Sequence, residues 1–148
     1  MGLYTSIEVS ASALSAERLA MDVIANNIAN VNTTRTPEGG AFKRQLVVFA
    51  QKTEPGTAAD SIDGQSDPSG SRAGVQAVGV INDNSPDKLV YDPSHPDADA
   101  QGYVHMPNIE VVKEMVDMMA ASRAYEANVT AIQEARSMGA ATMGLLHA

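Results

Sequence analysis

Few residues of this 148-residue chain stand at a spacing that chemistry could use. Asp97-Ala98-Asp99-Ala100-Gln101-Gly102 opens like a calcium-binding loop, in which alternating carboxylates and amides surround a hard cation. The pattern breaks at its fifth position, Gln101, and at its twelfth, Asn108, which cannot supply a bidentate carboxylate. A turn is the better reading. His95 lies near Asp92 and Asp97, but His105 and His147 offer no spacing that completes a metal set. No G-x-S-x-G elbow or phosphate-cradling glycine loop appears. With no cysteine, thiol nucleophiles, disulfides and Cys-ligated zinc are excluded. The expectation is no catalytic residue, no metal and no cofactor.

The remaining short motifs are weak. Met1-Gly2 with Ser6 fits the N-myristoylation pattern, but no polybasic segment supplies a second membrane signal. Asn32-Thr33-Thr34 and Asn128-Val129-Thr130 match the glycosylation triplet, the second within an apolar helix. Met115, Met118, Met119, Met138 and Met143 could form a soft-metal or peptide-binding cluster. At helical spacing, packing is the simpler account.

The elements that carry these residues are more informative. Ile7, Leu14, Met21 and Ile28 fall seven apart, with Leu3, Ile24 and Val31 on the adjoining row. Near the other end, Val111, Met118, Tyr125, Ile132 and Leu146 form a second seven-spaced row, interrupted at Gly139. Met115 and Val129 stand four places on from two of its members, and Met143 four on from Gly139. A seven-residue apolar repeat marks a stripe that packs on other helices. Asn26, Asn27, Asn30 and Asn32 crowd the end of the first helix, where asparagine amides compete for backbone hydrogen bonds. Asn108 is a candidate N-cap for the last helix, with Glu110 and Glu114 suited to its first turns.

Between the helices, 44–52, 75–81, 89–91 and 103–106 read as short strands of one small β unit, with Leu46, Val48, Val78, Val80 and Val90 as its core. Residues 53–73 are rich in Gly, Ser, Asp and Pro and read as a flexible loop. The expected fold is α+β: long terminal helices at 1–33 and 107–148, paired like a coiled coil, and a small β-rich middle at 34–106.

Composition agrees. Phe occurs twice, Tyr four times and Trp not at all, so core-filling side chains are scarce. Alanine and methionine suit helices packing side by side better than a dense globule. A net charge of −8 disfavours nucleic acid and anionic membrane. No apolar run approaches the ~18 residues of a membrane span, and no cleavable secretory signal is evident. On composition alone, the expected compartment is the cytoplasm.

Two segments carry a resemblance. Ala25-Asn26-Asn27-Ile28-Ala29-Asn30-Val31-Asn32-Thr33 resembles the N-terminal signature of the bacterial flagellar rod and hook axial family. Glu114-Met115-Val116-Asp117, continuing to Ala121-Ser122-Arg123-Ala124-Tyr125-Glu126-Ala127-Asn128, resembles its C-terminal one. The run from Leu89 to Asp99, with Gly102-Tyr103-Val104 and Pro107-Asn108, is similar to the proximal-rod branch of that family. A sister axial protein is the nearest competitor. A calcium-binding module and a myristoylated helical adaptor are the readings from other classes.

The resemblance implies a structural subunit of the proximal rod, a hollow periplasmic drive shaft that transmits motor torque. It implies export by the flagellar type III apparatus without a cleaved signal, in place of the cytoplasmic reading. Implied partners are copies of the chain, other proximal-rod subunits, the protein joining rod to MS ring, and the distal rod. Neither nucleic acid nor membrane insertion is expected. Ile7, Leu14, Met21, Ile24 and Ile28 are expected to pack against Met115, Met118, Tyr125, Val129 and Ile132 of the same or an adjoining subunit. Asn26, Asn27, Asn30, Ser122, Arg123 and Asn128 carry the family signature, the first three capping the helix end or bonding across subunits. Met118→Asp or Tyr125→Asp should abolish assembly by burying an uncompensated charge. Normal swimming of a strain carrying either variant would count against that interface.

Overall fold

The computed structural model describes residues 3–52 and 74–146. The segment 53–73, read above as a flexible loop, lies outside them, as do Met1-Gly2 and the last two residues. The element order is α1 (Leu3–Ala29), β1 (Gln45–Lys52), β2 (Gly74–Asn82), β3 (Lys88–Tyr91), β4 (Tyr103–Met106) and α2 (Val111–Leu146). The fold is α+β, with two long helices flanking a β-rich middle. No helix among the described residues is long and apolar enough to cross a membrane.

The helices run antiparallel. Asn27, near the end of α1, meets Glu114 at the start of α2, while Met21 meets Ser122 further along. α2 begins later than its sequence suggests: the Glu110 carbonyl accepts the Glu114 amide, so Glu110 rather than Asn108 stands at the N-cap.

The four strands form two separate antiparallel hairpins, β1–β2 and β3–β4, not one small sheet. After β2, the Asp83 carboxylate accepts the Ser85 amide and hydroxyl, and this tight turn intervenes before β3 begins.

β1 and β2 lie lengthwise along α1. Gln45 bonds Asn27 at one end, and Lys52 pairs with Glu8 at the other. The lengths agree: 7 strand steps at ~3.3 Å and 19 helical steps at ~1.5 Å both span on the order of 25 Å. Close to the Lys52 end, Ser12 Oγ accepts the Val75 amide while donating to the Val9 carbonyl. Approach is so close here that a Cβ on Gly74 would lie 2.8 Å from Ser12 Oγ. Small residues therefore face the helix, and the burial phase of β2 is the reverse of the sequence expectation. Val75, Ala77 and Gly79 are half-buried, whereas Val78 and Val80 are exposed. A bulge between Val48 and Phe49 turns both of those side chains outward as well. Leu46 and Val90 are half-buried; Val104, paired with Val90, is the buried centre of the second hairpin.

The β3–β4 connection is built from carboxylates acting locally. Asp99 Oδ1 accepts the amides of Gln101 and Tyr103, and Asp97 takes the Thr34 hydroxyl and faces Arg35. Gly102 has φ +83°, and a Cβ there would press on the Tyr91 ring. Asp92 accepts the Ser94 hydroxyl at 2.6 Å and its amide at 3.1 Å, which holds its pKa below the ordinary value. A depressed folded pKa contributes stability that is full above the unfolded value, about 3.9, and is lost as pH falls through the folded value. Ser94→Ala should move the Asp92 pKa up toward the ordinary value. Carbon NMR titration of the carboxyl reads this, and an unmoved midpoint would remove Ser94 as the cause.

Candidate assembly interface

The junction of α1, β1 and α2 is closed by one buried polar cluster. Asn27 is 1% exposed, and its amide treats Gln45 as a neighbouring strand would. Nδ2 donates to the Gln45 carbonyl at 2.8 Å, and Oδ1 accepts the Gln45 amide at 2.9 Å. Nδ2 also donates to Glu114 Oε2 at 3.0 Å. The other carboxylate oxygen of Glu114, itself 1% exposed, accepts Arg44 Nε at 2.6 Å. Arg44 reaches Asp117 as well, at 3.6 Å. Among the described residues no buried side-chain polar atom lacks a partner, so the cluster is satisfied as well as buried.

Around it, Asn26 Nδ2 donates to the Gln45 side-chain carbonyl, and Asn30 Nδ2 donates to the Asn26 carbonyl and to its side chain. Thr33 then bonds Asn30 Oδ1. The asparagine-rich segment thus closes the end of α1 and clamps the first residue of β1.

The helix seam is thin. Ala16, Ala20, Val23 and Asn27 are buried on α1, at successive spacings of four, three and four. Glu114, Ala121 and Ala135 are buried on α2, on a seven-spaced row that includes half-buried Asn128, whose Nδ2 donates to the Ala124 carbonyl. Ile7, Leu14, Met21, Ile24 and Ile28 are half-buried beside this seam, as are Met118, Tyr125, Val129 and Ile132. At ~100° per residue, the Ile7–Ile28 row lies about a third of a turn from the buried row of α1. Ser122 is half-buried against Met21, its Oγ 3.5 Å from Sδ, and Arg123 is exposed.

Large apolar side chains occupy the opposite face of α2. Val112 (70% exposed), Met115, Val116 and Met119 follow one another at i, i+3, i+4 and i+7, the pattern of a continuous face, and it is open. Met138 and Met143 are open too, so most of these methionines do not fill a core within this chain.

Nothing in the sequence singled out Arg44 and Gln45, and Glu114 stood there as a helix-start acid and as part of the C-terminal signature. The alanine row at four-three-four spacing was a legible signal, hidden by the larger aliphatic row beside it.

Antiparallel terminal helices, a strand hairpin along one of them and an open apolar helical face define an axial subunit, a chain built to pack on neighbours. Residues 7–35 match the family described as flagella basal body rod protein. Residues 100–145 match the flagellar basal body rod FlgEFG protein C-terminal family. The chain is 47% identical to the flagellar basal-body rod protein FlgC of Borreliella burgdorferi, over 99% of both chains. It is 41% identical to FlgC of Bacillus subtilis, over 93% of this chain and 94% of that one. Identity to FlgC of Escherichia coli O157:H7 is 39%, over 98% of each. The chain belongs to the FlgC family, structural rod proteins of the flagellar basal body.

Arg44→Met should destabilise the fold by about 3–5 kcal/mol, because it leaves the Glu114 carboxylate buried beside Asn27 alone. Urea unfolding followed by helical circular dichroism measures the loss. A change under about 1 kcal/mol, the size of an exposed pair, would show that the cluster is not desolvated in solution.

Proposed function

We propose that this chain forms the proximal segment of the rod, packing through α1 and α2 into a hollow shaft that carries torque. In this reading 1–33 and 107–148 are the inner, axial parts, and 34–106 is the outer one. Ile7, Leu14, Met21, Ile24 and Ile28, with Met115, Met118, Tyr125, Val129 and Ile132, then meet neighbouring subunits. Those neighbours are copies of the chain and the other rod proteins, including the rod–MS ring junction and the distal rod. Passage to the periplasm is through the flagellar type III apparatus.

The observation that carries the reading is the mismatch between core and surface. Among the described residues the buried apolar set is five alanines and two valines, while Val112, Met115, Val116 and Met119 are open. Contiguous apolar faces left open by a single chain mark interaction sites. Contacts that repeat along an axis without closing a ring suit a shaft.

The test is electron microscopy of basal bodies from the source bacterium with this coding region deleted. Rings without rod or hook, restored by the gene in trans, are expected. Intact rods would overturn the reading. Val116→Asp supplied in trans should fail to restore swimming while leaving the helical content of the purified chain unchanged.

A further inference from the structure

We infer that the Asn27–Glu114–Arg44 cluster sets the register in which α1 and α2 pair. The seam itself selects register poorly. Its fully buried apolar members are Ala16, Ala20 and Val23 on α1 and Ala121 and Ala135 on α2, and alanine presents almost no knob for a particular hole. For these fully buried alanines, sliding one helix past the other by a turn costs little in dispersion. The polar cluster changes that balance, because it can be satisfied at only one setting. Asn27 is held from outside the helix pair by both backbone groups of Gln45, so its remaining Nδ2 hydrogen points at one place on α2. Arg44, the residue before Gln45, is fixed by the same strand and meets the other oxygen of Glu114. Strand β1 therefore acts as a jig. It presents one amide and one guanidinium to α2, and position 114 carries the buried carboxylate that meets both. A slip of four residues moves Glu114 on the order of 6 Å along the axis and leaves a buried charge without its partners. Single buried polar residues fix register in coiled coils by the same penalty.

The consequence for assembly rests on the rod reading; the register itself does not. With Met21 level with Ser122, the half-buried rows Ile7–Ile28 and Met118–Ile132 form one composite surface. A slipped pair would present a different surface to its neighbours.

The chain has no cysteine, so paired substitutions report register without background. Met21→Cys is combined in the full-length chain with Ser122→Cys, Met118→Cys or Glu126→Cys, and each pair is treated with a short thiol-to-thiol cross-linker. With the cluster intact, the pair 21/122 should dominate within one chain. Exchanging the acid for its neighbour one turn on (E114M/M118E) leaves composition unchanged, and should shift the cross-link from 122 to 126. Replacing the cluster by apolar residues (N27L/R44M/E114L) should keep helical circular dichroism but spread cross-linking over 118, 122 and 126. Retention of 21/122 alone in both variants would overturn the proposal. Loss of helicity in both would also overturn it, because the cluster would then be a requirement for folding and not a selector of register. Swimming assays of the same variants address the rod reading separately: shifted cross-links with normal swimming would leave the register inference standing and remove its link to assembly.

Discussion

A carboxylate buried to 1% exposure has to be surrounded by donors, and the architecture around Glu114 meets that demand. One donor comes from the end of α1 and the other from the residue before β1. Because Asn27 also takes both backbone groups of Gln45, the first strand must leave the helix at that point and run back along it. The antiparallel pairing of the helices and the seating of the hairpin are joined through these few hydrogen bonds. The asparagines beyond them close the helix end, so the same segment terminates one element and anchors two others.

The thin seam gives this cluster its weight. Alanines let the helices approach closely but contribute little burial each, whereas the aliphatic and methionine side chains lie beside the seam or on the open face of α2. A single copy therefore has modest apolar stabilisation and much apolar surface. That is the physical profile of a component completed by its neighbours, and it agrees with membership of a family of rod proteins. Specific polar bonds define the shape of the subunit, and apolar area is left over for packing between subunits.

The carboxylates of the middle region show how local chemistry can imitate a ligand site. Asp97 and Asp99 have the spacing of a calcium loop, yet Asp99 accepts two backbone amides of its own turn, and Asp97 ties the second hairpin to Thr34 and Arg35. Asp83 and Asp92 repeat the device with Ser85 and Ser94, whose hydroxyls hold both carboxyls below the ordinary pKa. Acidic residues at these loops organise the backbone between strands.

Periodicity and signature runs were enough to read both helices, the four strands, the α+β class and the family, because each depends on residues close together along the chain. Boundaries moved by a few residues, as at Val111, where the Glu110 carbonyl and not the Asn108 side chain opens the helix. What the sequence could not determine was phase. Ile7, Leu14, Met21 and Ile28 are the larger side chains, yet the alanine row is buried, since close approach of two helices and a hairpin favours small residues. The same crowding reversed the inward face of β2, where Gly74 meets Ser12. Arg44 and Gln45 stood in an apolar strand as ordinary polar residues. Only the tertiary structure, by bringing positions 18 and 87 residues apart in sequence within hydrogen-bonding distance of Asn27, gave them and Glu114 their roles.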